Sequence, residues 1–247
     1  YKSIAITQGT TAYFWSISEA LVDLQNACTL TSKSELRLET MKAESQQKGF
    51  LAVRMLLQHI GLSDADLSYD SSGKPHLQNG KHISISHSHL FSVIAISDEP
   101  VGIDIELIKE KTLKIATRYL DVSHLEELSV ADQTIKATII WGIKEAVFKI
   151  KSQPGISFPN HIFESDFAIS DQKTKAQLRF NDSIENFNIV FETLENYAFV
   201  CALPQKPLAF SFEKVIGGFI LSTLCKGPSV LSKNPLSFIL FTITSIS

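Results

Sequence analysis

Along VGIDIELI, residues 101 to 108, apolar Val101, Ile103, Ile105 and Leu107 alternate with Gly102, Asp104 and Glu106. Successive side chains of a strand point to opposite faces, so this spacing predicts a strand with one apolar face and two carboxylates roughly 7 Å apart on the other. Strands are also predicted at YKSIAIT from Tyr1, at HISISHSH from His82 and at FSVIAIS from Phe91. FSVIAIS, a turn at SDEP and VGIDIELI are expected to form neighbouring strands of a hairpin. Helical spacing is predicted from Ser34 to Ile60, with Phe50, Val53, Met55, Leu56 and Leu57 as the apolar side and Gly61 as the stop. It returns from Leu113 to Ile150, where Ile139, Ile143, Ala146, Val147 and Ile150 share one stripe. That stripe is expected to leave Lys144, Glu145 and Lys149 off the buried face. SSGKPHLQNGK is turn chemistry, PGISFPN ends the second helix, and FAIS, QLRF, FNIVFE and NYAFVCAL predict a return to short strands. The fold class read from this order is α+β.

Asp104 and Glu106 on one strand face have two readings. A half-wet antiparallel strand would place them in solvent. Alternatively, two oxygen ligands on a rigid face, with Gly102 clearing space beside them, can hold a hard divalent cation such as Mg²⁺. Glu145 and Lys149 fall four apart on the later helix and neighbour each other across one turn. Three acids and a lysine suit a metal-bound polyphosphate, the acids holding metal and the lysine neutralising phosphate oxygens. A surface ion pair on the helix is the plainer reading of Glu145 and Lys149.

The length of 247 residues allows one large domain or two small ones, and 44% hydrophobic with 20% charged residues is ordinary for a globular protein. A net charge of -3 without a basic stripe argues against a general nucleic-acid binder. Cys28, Cys201 and Cys225 lie far apart, which suits a reducing cytoplasm better than a disulfide framework, and no CxxC pair points to zinc. No secretory leader is expected at Tyr1. From 204 to 247 the character changes: one acid, Glu213, many serines and threonines, and two apolar runs, VIGGFILSTLC and LSFILFTITSI. Each is shorter than the roughly 20 residues of a membrane-spanning helix, so the tail is read as an appended segment of unknown role, without stable membrane insertion.

VGIDIE followed by WGIKEAVFK resembles the paired signature of the 4′-phosphopantetheinyl transferases, and GKPHL and SISHS match two further elements in the expected order over residues 73 to 149. The length resembles the longer, surfactin-synthetase-type branch. The resemblance implies a pseudodimer of two similar α/β subdomains, 1–98 on the coenzyme A side and 99–203 with the metal and catalytic motifs, followed by the 204–247 tail. It implies transfer of the 4′-phosphopantetheine arm of coenzyme A to a serine of an apo acyl or peptidyl carrier protein, releasing 3′,5′-ADP. The enzyme would be a cytoplasmic monomer serving fatty-acid, polyketide or nonribosomal peptide synthesis.

By the same resemblance, Asp104, Glu106 and Glu145 would bind Mg²⁺, with Mn²⁺ also suited to an all-oxygen site. Glu145 would act as general base, and Lys149, with Lys144 nearby, would steady the pyrophosphate. Lys74 and Pro75 would lie against the adenine end, and Ser86 and His87 would meet phosphates. An adjoining phosphate would favour the protonated form of His87. His82 and His89 are read as structural. KTLKIATRYLDVSHLEEL would be an amphipathic helix presenting lysines and Arg118 to an acidic carrier.

The chain departs from the family pattern at Ser45, Gln46 and Gln47, where an arginine usually grips the 3′-phosphate. Lys42 or Lys48 could substitute only as point charges. Arg54 is the nearest arginine and could serve packing instead. Two other functions fit the acids: a Mg²⁺-dependent phosphohydrolase or nuclease, and a non-catalytic coenzyme A or carrier-protein binding module.

Overall fold

A computed structural model of the chain describes residues 1–206, 210–216, 219–225 and 243–244. Residues Tyr1–Pro204 form one compact unit and Gln205–Ser247 a second. The first opens with β1 (Lys2–Thr7) and β2 (Thr10–Ser16), followed by α1 (Leu21–Ala27), α2 (Ser32–Thr40) and α3 (Glu44–His59). The helix expected from Ser34 to Ile60 is therefore two helices, broken at Met41–Ala43 where the backbone becomes extended. Thr31 caps α2, and Leu38 and Phe50 bury the two helices in a shared cluster.

Next come β3 (Leu67–Tyr69) and β4 (Pro75–Leu77), a small antiparallel pair whose second strand lies inside the stretch expected to be turn, and then β5 (His82–Ser88) and β6 (Phe91–Ser97). β1, β2, β6 and β5 make the first sheet, in that order. After β7 (Gly102–Leu107) the chain enters α4 (Glu110–Lys114), two 3₁₀ turns at Ala116–Arg118 and Val122–Leu125, and the long α5 (Val130–Lys151). The helix expected to begin at Leu113 is thus interrupted until Ser129 caps α5. α6 (Phe158–His161), β8 (Ile162–Glu164), β9 (Lys173–Phe180), β10 (Ser183–Leu194) and β11 (Tyr197–Pro204) complete the unit. FAIS is not a strand; it enters a 3₁₀ turn at Ile169–Asp171.

The second sheet runs β7-β11-β10-β9-β8, so β7 pairs with β11 and not with β6. The expected β6–β7 hairpin is corrected: the chain leaves one sheet at Ser97 and enters the other at Gly102. The reason is that both faces of β7 are covered. Ile103 and Ile105 pack with Phe199 and Cys201 against Ala12, Phe14, Val93 and Ala95 of the first sheet. Phe14 and Phe199 meet edge to face at 4.8 Å. The opposite face of the second sheet, through Val200, Ala202 and Ile189, packs on α5, while α3 covers the outer face of the first sheet through Val53, Leu56 and Ile83. The layers therefore follow helix, sheet, sheet, helix.

In the second unit β12 (Phe210–Ile216) pairs with β13 (Phe219–Cys225), which pairs with β14 (Ile243–Thr244). Most of LSFILFTITSI lies outside the described residues. Among the described residues no helix is long and apolar enough to cross a membrane. Cys28 and Cys201 are free thiols, pushed by burial to about 11 and about 12 respectively.

Candidate active site

The face of β7 opposite its isoleucines lies against α5, and glycines permit the approach. A Cβ on Gly102 would fall 1.8 Å from the Ala146 carbonyl oxygen, and one on Gly142 would fall 2.8 Å from a Val200 methyl. Gly102 was expected to clear space for a cation; the space it clears is occupied by the backbone of α5. Asp104 is consequently 4% exposed, which removes the reading of a solvated strand face.

A buried carboxylate needs partners. Asp104 Oδ1 accepts from Ser86 Oγ at 2.8 Å and from Lys149 Nζ at 2.8 Å. Lys149 also donates to the Ile103 carbonyl at 2.9 Å and to Ser86 Oγ at 3.1 Å. Ser86 is one of three alternating serines on β5 whose hydroxyls accept backbone N–H groups of β7: Ser84 from Ile103, Ser86 from Ile105 and Ser88 from Leu107. The SISHS motif thus joins the two sheets. The Ser86 hydroxyl, expected to meet a phosphate, is committed to this inward network.

Asp104 Oδ2 is buried with no hydrogen-bond partner among the described residues. Such an orphaned acceptor costs about 1–3 kcal/mol. Glu106 lies on the same strand face, half-buried, and its carboxyl is pushed up to about 7 by burial and by the Asp104 and Glu145 charges, against the pull of Lys149 and the Trp141 indole. Burial and Asp104 also raise Glu145. Among the described residues no three His, Cys, Asp or Glu side chains form a ready-made metal cluster. An unspent carboxylate oxygen and two carboxyls made reluctant to ionise by their neighbours are nevertheless the donor set that a hard divalent cation relieves.

This cluster adjoins a cleft of about 450 Å³, lined among others by Arg37, Phe50, Tyr69, Lys74, His87 and Lys149. Pro75 also lines it. Lys74 is presented by a turn organised on Asp70, whose Oδ1 accepts from Ser72 N at 2.8 Å, Ser72 Oγ at 2.7 Å and Lys74 N at 3.0 Å. His76 bonds the other oxygen at 3.0 Å, and these contacts hold the Asp70 carboxyl far below its usual range. The Lys74 ammonium donates to the Ile150 carbonyl near the end of α5, where the helix dipole favours a cation. His87 faces Gly49, whose missing side chain admits the ring. Burial and the Lys149 ammonium hold its imidazole below the ordinary value, the reverse of the direction expected from a phosphate neighbour.

One sequence expectation changes here, and one open alternative is decided. Lys144 is not off the buried face: it is 2% exposed, donating to Glu164 Oε2 and the Ile162 carbonyl, each at 2.6 Å. β8 and the turns around Leu125 cover the far side of α5, so Lys144 points away from Lys149 and Asp104. Arg54 is structural: its Nε donates to Asp64 Oδ1 at 2.9 Å and its guanidinium lies 3.5 Å over the Phe50 ring. Lys48 pairs with Glu44 at 3.0 Å, and Gln47 donates to the Met41 carbonyl.

Arg37 was not anticipated. It lies exposed in the cleft, 4.6 Å over the Tyr69 ring and 5.7 Å from Phe50, without a carboxylate partner among the described residues. KTLKIATRYLDVSHLEEL forms α4 and two 3₁₀ turns in place of one helix, with Lys111, Lys114 and Arg118 exposed and Tyr119, Leu120 and Leu125 buried.

Residues 100–203 match the model of the 4′-phosphopantetheinyl transferase superfamily. A 4′-phosphopantetheinyl transferase of Bacillus subtilis is 33% identical over 106 residues, covering 40% of this chain and 47% of that protein. The transferase gsp of Aneurinibacillus migulanus is 34% identical over 107 residues, covering 41% and 45%. The transferase Sfp of Bacillus subtilis strain 168 is 33% identical over 102 residues, covering 39% and 45%. The chain spans about half the length of these curated relatives. The matched stretch holds β7 with Asp104 and Glu106 and α5 with Glu145 and Lys149, and over this stretch the chain is similar to the 4′-phosphopantetheinyl transferase superfamily.

Proposed function

We propose that the chain transfers the 4′-phosphopantetheine arm of coenzyme A to a serine of an apo acyl or peptidyl carrier protein, releasing 3′,5′-ADP. The observation that carries this reading is a single cleft lined both by Lys149, bonded to the Asp104 carboxylate, and by the guanidinium of Arg37, which has two aromatic rings beside it and no carboxylate partner among the described residues. A nucleotide ligand with phosphates at two places needs both ends. The names of the relatives support the same reading.

Asp104, Glu106 and Glu145 would hold Mg²⁺ or Mn²⁺, which when bound would neutralise the pyrophosphate and polarise a phosphoryl oxygen. Glu145 takes the proton of the carrier serine, whose oxygen attacks the β-phosphorus as the bond to the leaving 3′,5′-ADP breaks. Lys149 meets the charge that builds on the phosphate of the departing 3′,5′-ADP. Lys74 and Pro75 border the adenine, and Tyr69 and Phe50 offer it faces. His87 lies beside a phosphate and gains a proton there. Arg37 grips the 3′-phosphate in place of the arginine missing at 45–47, with a planar fork that Lys42 or Lys48 lacks. Lys111, Lys114 and Arg118 face the acidic carrier.

The two halves, 1–98 and 99–203, each a sheet covered by one long helix, are read as the subdomains of a pseudodimer acting as a monomer in a reducing cytoplasm. The test is the intact mass of an apo carrier protein incubated with this chain, coenzyme A and Mg²⁺, with and without EDTA. A gain of one phosphopantetheine arm that EDTA abolishes supports transfer. Coenzyme A binding without a gain on several carriers would make the chain a binding module, and no coenzyme A binding would overturn the reading of the cleft.

A further inference from the structure

The ammonium of Lys149 has three donors, and each has an acceptor: Asp104 Oδ1 at 2.8 Å, the Ile103 carbonyl at 2.9 Å and Ser86 Oγ at 3.1 Å. So placed, it has no donor left for a phosphate. It is held inside the acid cluster, on the carboxylate whose second oxygen has no hydrogen-bond partner among the described residues. Lys149 nevertheless lines the cleft, its side chain 29% exposed, near the end of α5 on a long flexible stem. The same side chain therefore touches both the acids and the space where an anion would lie.

We propose that Lys149 is the resident counter-cation of this site: it holds Asp104 until a divalent cation displaces it, and displacement delivers its ammonium to the anion in the cleft. This rests on the reading of the cleft as a site for Mg²⁺ and a phosphate-bearing ligand. Two cations cannot both occupy one face of Asp104 without mutual repulsion, so metal binding alone works against Lys149. An anion in the cleft gives the displaced ammonium a new partner. Metal and anion thereby favour each other through one side chain, and the coupling must be reciprocal. The other lysine of the helix motif, Lys144, cannot play this part, because Glu164 and the Ile162 carbonyl hold it on the opposite side of α5.

The probe is Mn²⁺, its free ion counted by electron paramagnetic resonance, titrated into the full chain and into Lys149→Met, with and without coenzyme A, against protein-free blanks. An ammonium beside a carboxylate shifts its cation preference by one to three decades, so Lys149→Met alone should bind Mn²⁺ roughly tenfold more tightly. Coenzyme A should tighten Mn²⁺ binding in the parent chain and do so several-fold less in the variant. Equal or weaker Mn²⁺ binding by a folded Lys149→Met, while the parent binds, overturns the exchange and leaves the metal reading standing. If neither protein binds Mn²⁺ even with coenzyme A, the metal reading falls and takes the exchange with it. Should the variant not fold, ¹⁵N resonances of lysine ammonium groups in the parent decide: the Lys149 signal must move on adding Mg²⁺, and a signal unmoved at saturating Mg²⁺ overturns the proposal.

Discussion

A Cβ on Gly102 would lie 1.8 Å from the carbonyl oxygen of Ala146, so strand β7 and helix α5 touch backbone to backbone at this point. The contact sets the distance between Asp104 on the strand and Glu145 on the helix, which are two and one residues from it. Gly102→Ala must push the helix away or bend the strand. Overpacking of this severity should cost about 3 kcal/mol or more. Urea unfolding measures the loss, and a variant within about 0.5 kcal/mol of the parent would show that the contact yields freely.

Asp64 is buried and accepts from Thr31, Ser34 and Arg54. Burial works to raise its carboxyl, but those hydrogen bonds outweigh it and hold the group below its ordinary value. A depressed carboxyl contributes stability above its unfolded pKa, near 3.9, and loses it as pH falls through the folded value. Asp64→Asn should therefore cost about 3 kcal/mol at pH 7, where Arg54 is left buried without its counter-charge, and the gap from the parent should begin to narrow below about pH 4. Urea midpoints between pH 3 and 7 give the comparison.

Lys144 and Glu164, each with a side chain 3% exposed, form a buried pair at 2.6 Å. Lys144→Met leaves Glu164, among the described residues, with His124 at 3.2 Å as its remaining charge partner. The expected cost is about 3–5 kcal/mol in chemical unfolding. Because Lys144 points away from the cleft, the KM for coenzyme A should stay within about twofold wherever the variant is folded. A large rise in KM would return Lys144 to the phosphate site.

Arg37→Ala removes the guanidinium of the cleft. Losing a hydrogen bond to a charged group of about 1.5–3 kcal/mol should raise the KM for coenzyme A roughly 10- to 100-fold, with kcat little changed. With 3′-dephospho-coenzyme A as donor, parent and variant should behave alike. A variant that discriminates equally against both donors would place Arg37 elsewhere on the ligand.

Glu145→Gln keeps the size of the side chain and removes the proposed base. Turnover should fall by about 10² to 10⁴, the usual contribution of general base catalysis, with the circular dichroism spectrum retained. Near-normal turnover would take the proton from Glu145 and assign it to another group.

The period-two pattern located β5, β6 and β7 closely because one face of each strand is apolar whatever it pairs with. Pairing was another matter. A turn at SDEP looks like a hairpin locally, and only the distant β11 shows that β7 belongs to the other sheet. The break between α2 and α3 carries no proline or glycine, so helical spacing ran straight through it. Lys144 looked exposed because its neighbours on one face were aliphatic, while its partner Glu164 lies 20 residues further on in a strand that the pattern did not predict. Asp104, Glu106, Glu145 and Lys149 were legible as a group because two spaced motifs, VGIDIE and WGIKEAVFK, carry them. Arg37 sits in neither.

Strands β5 and β7 run side by side in the same direction, yet no backbone ladder joins them; Ser84, Ser86 and Ser88 supply the acceptors instead. A bare edge strand invites any passing strand to pair with it. Here a row of hydroxyls serves as a blank strand, filling the N–H groups of Ile103, Ile105 and Leu107 while offering nothing that could be extended. The mid-chain edge is therefore closed to foreign chains without fusing the two sheets, and each sheet keeps its own twist. The polar letters of SISHS serve as a guard against mispairing on the same strand that carries Ser86 to Asp104.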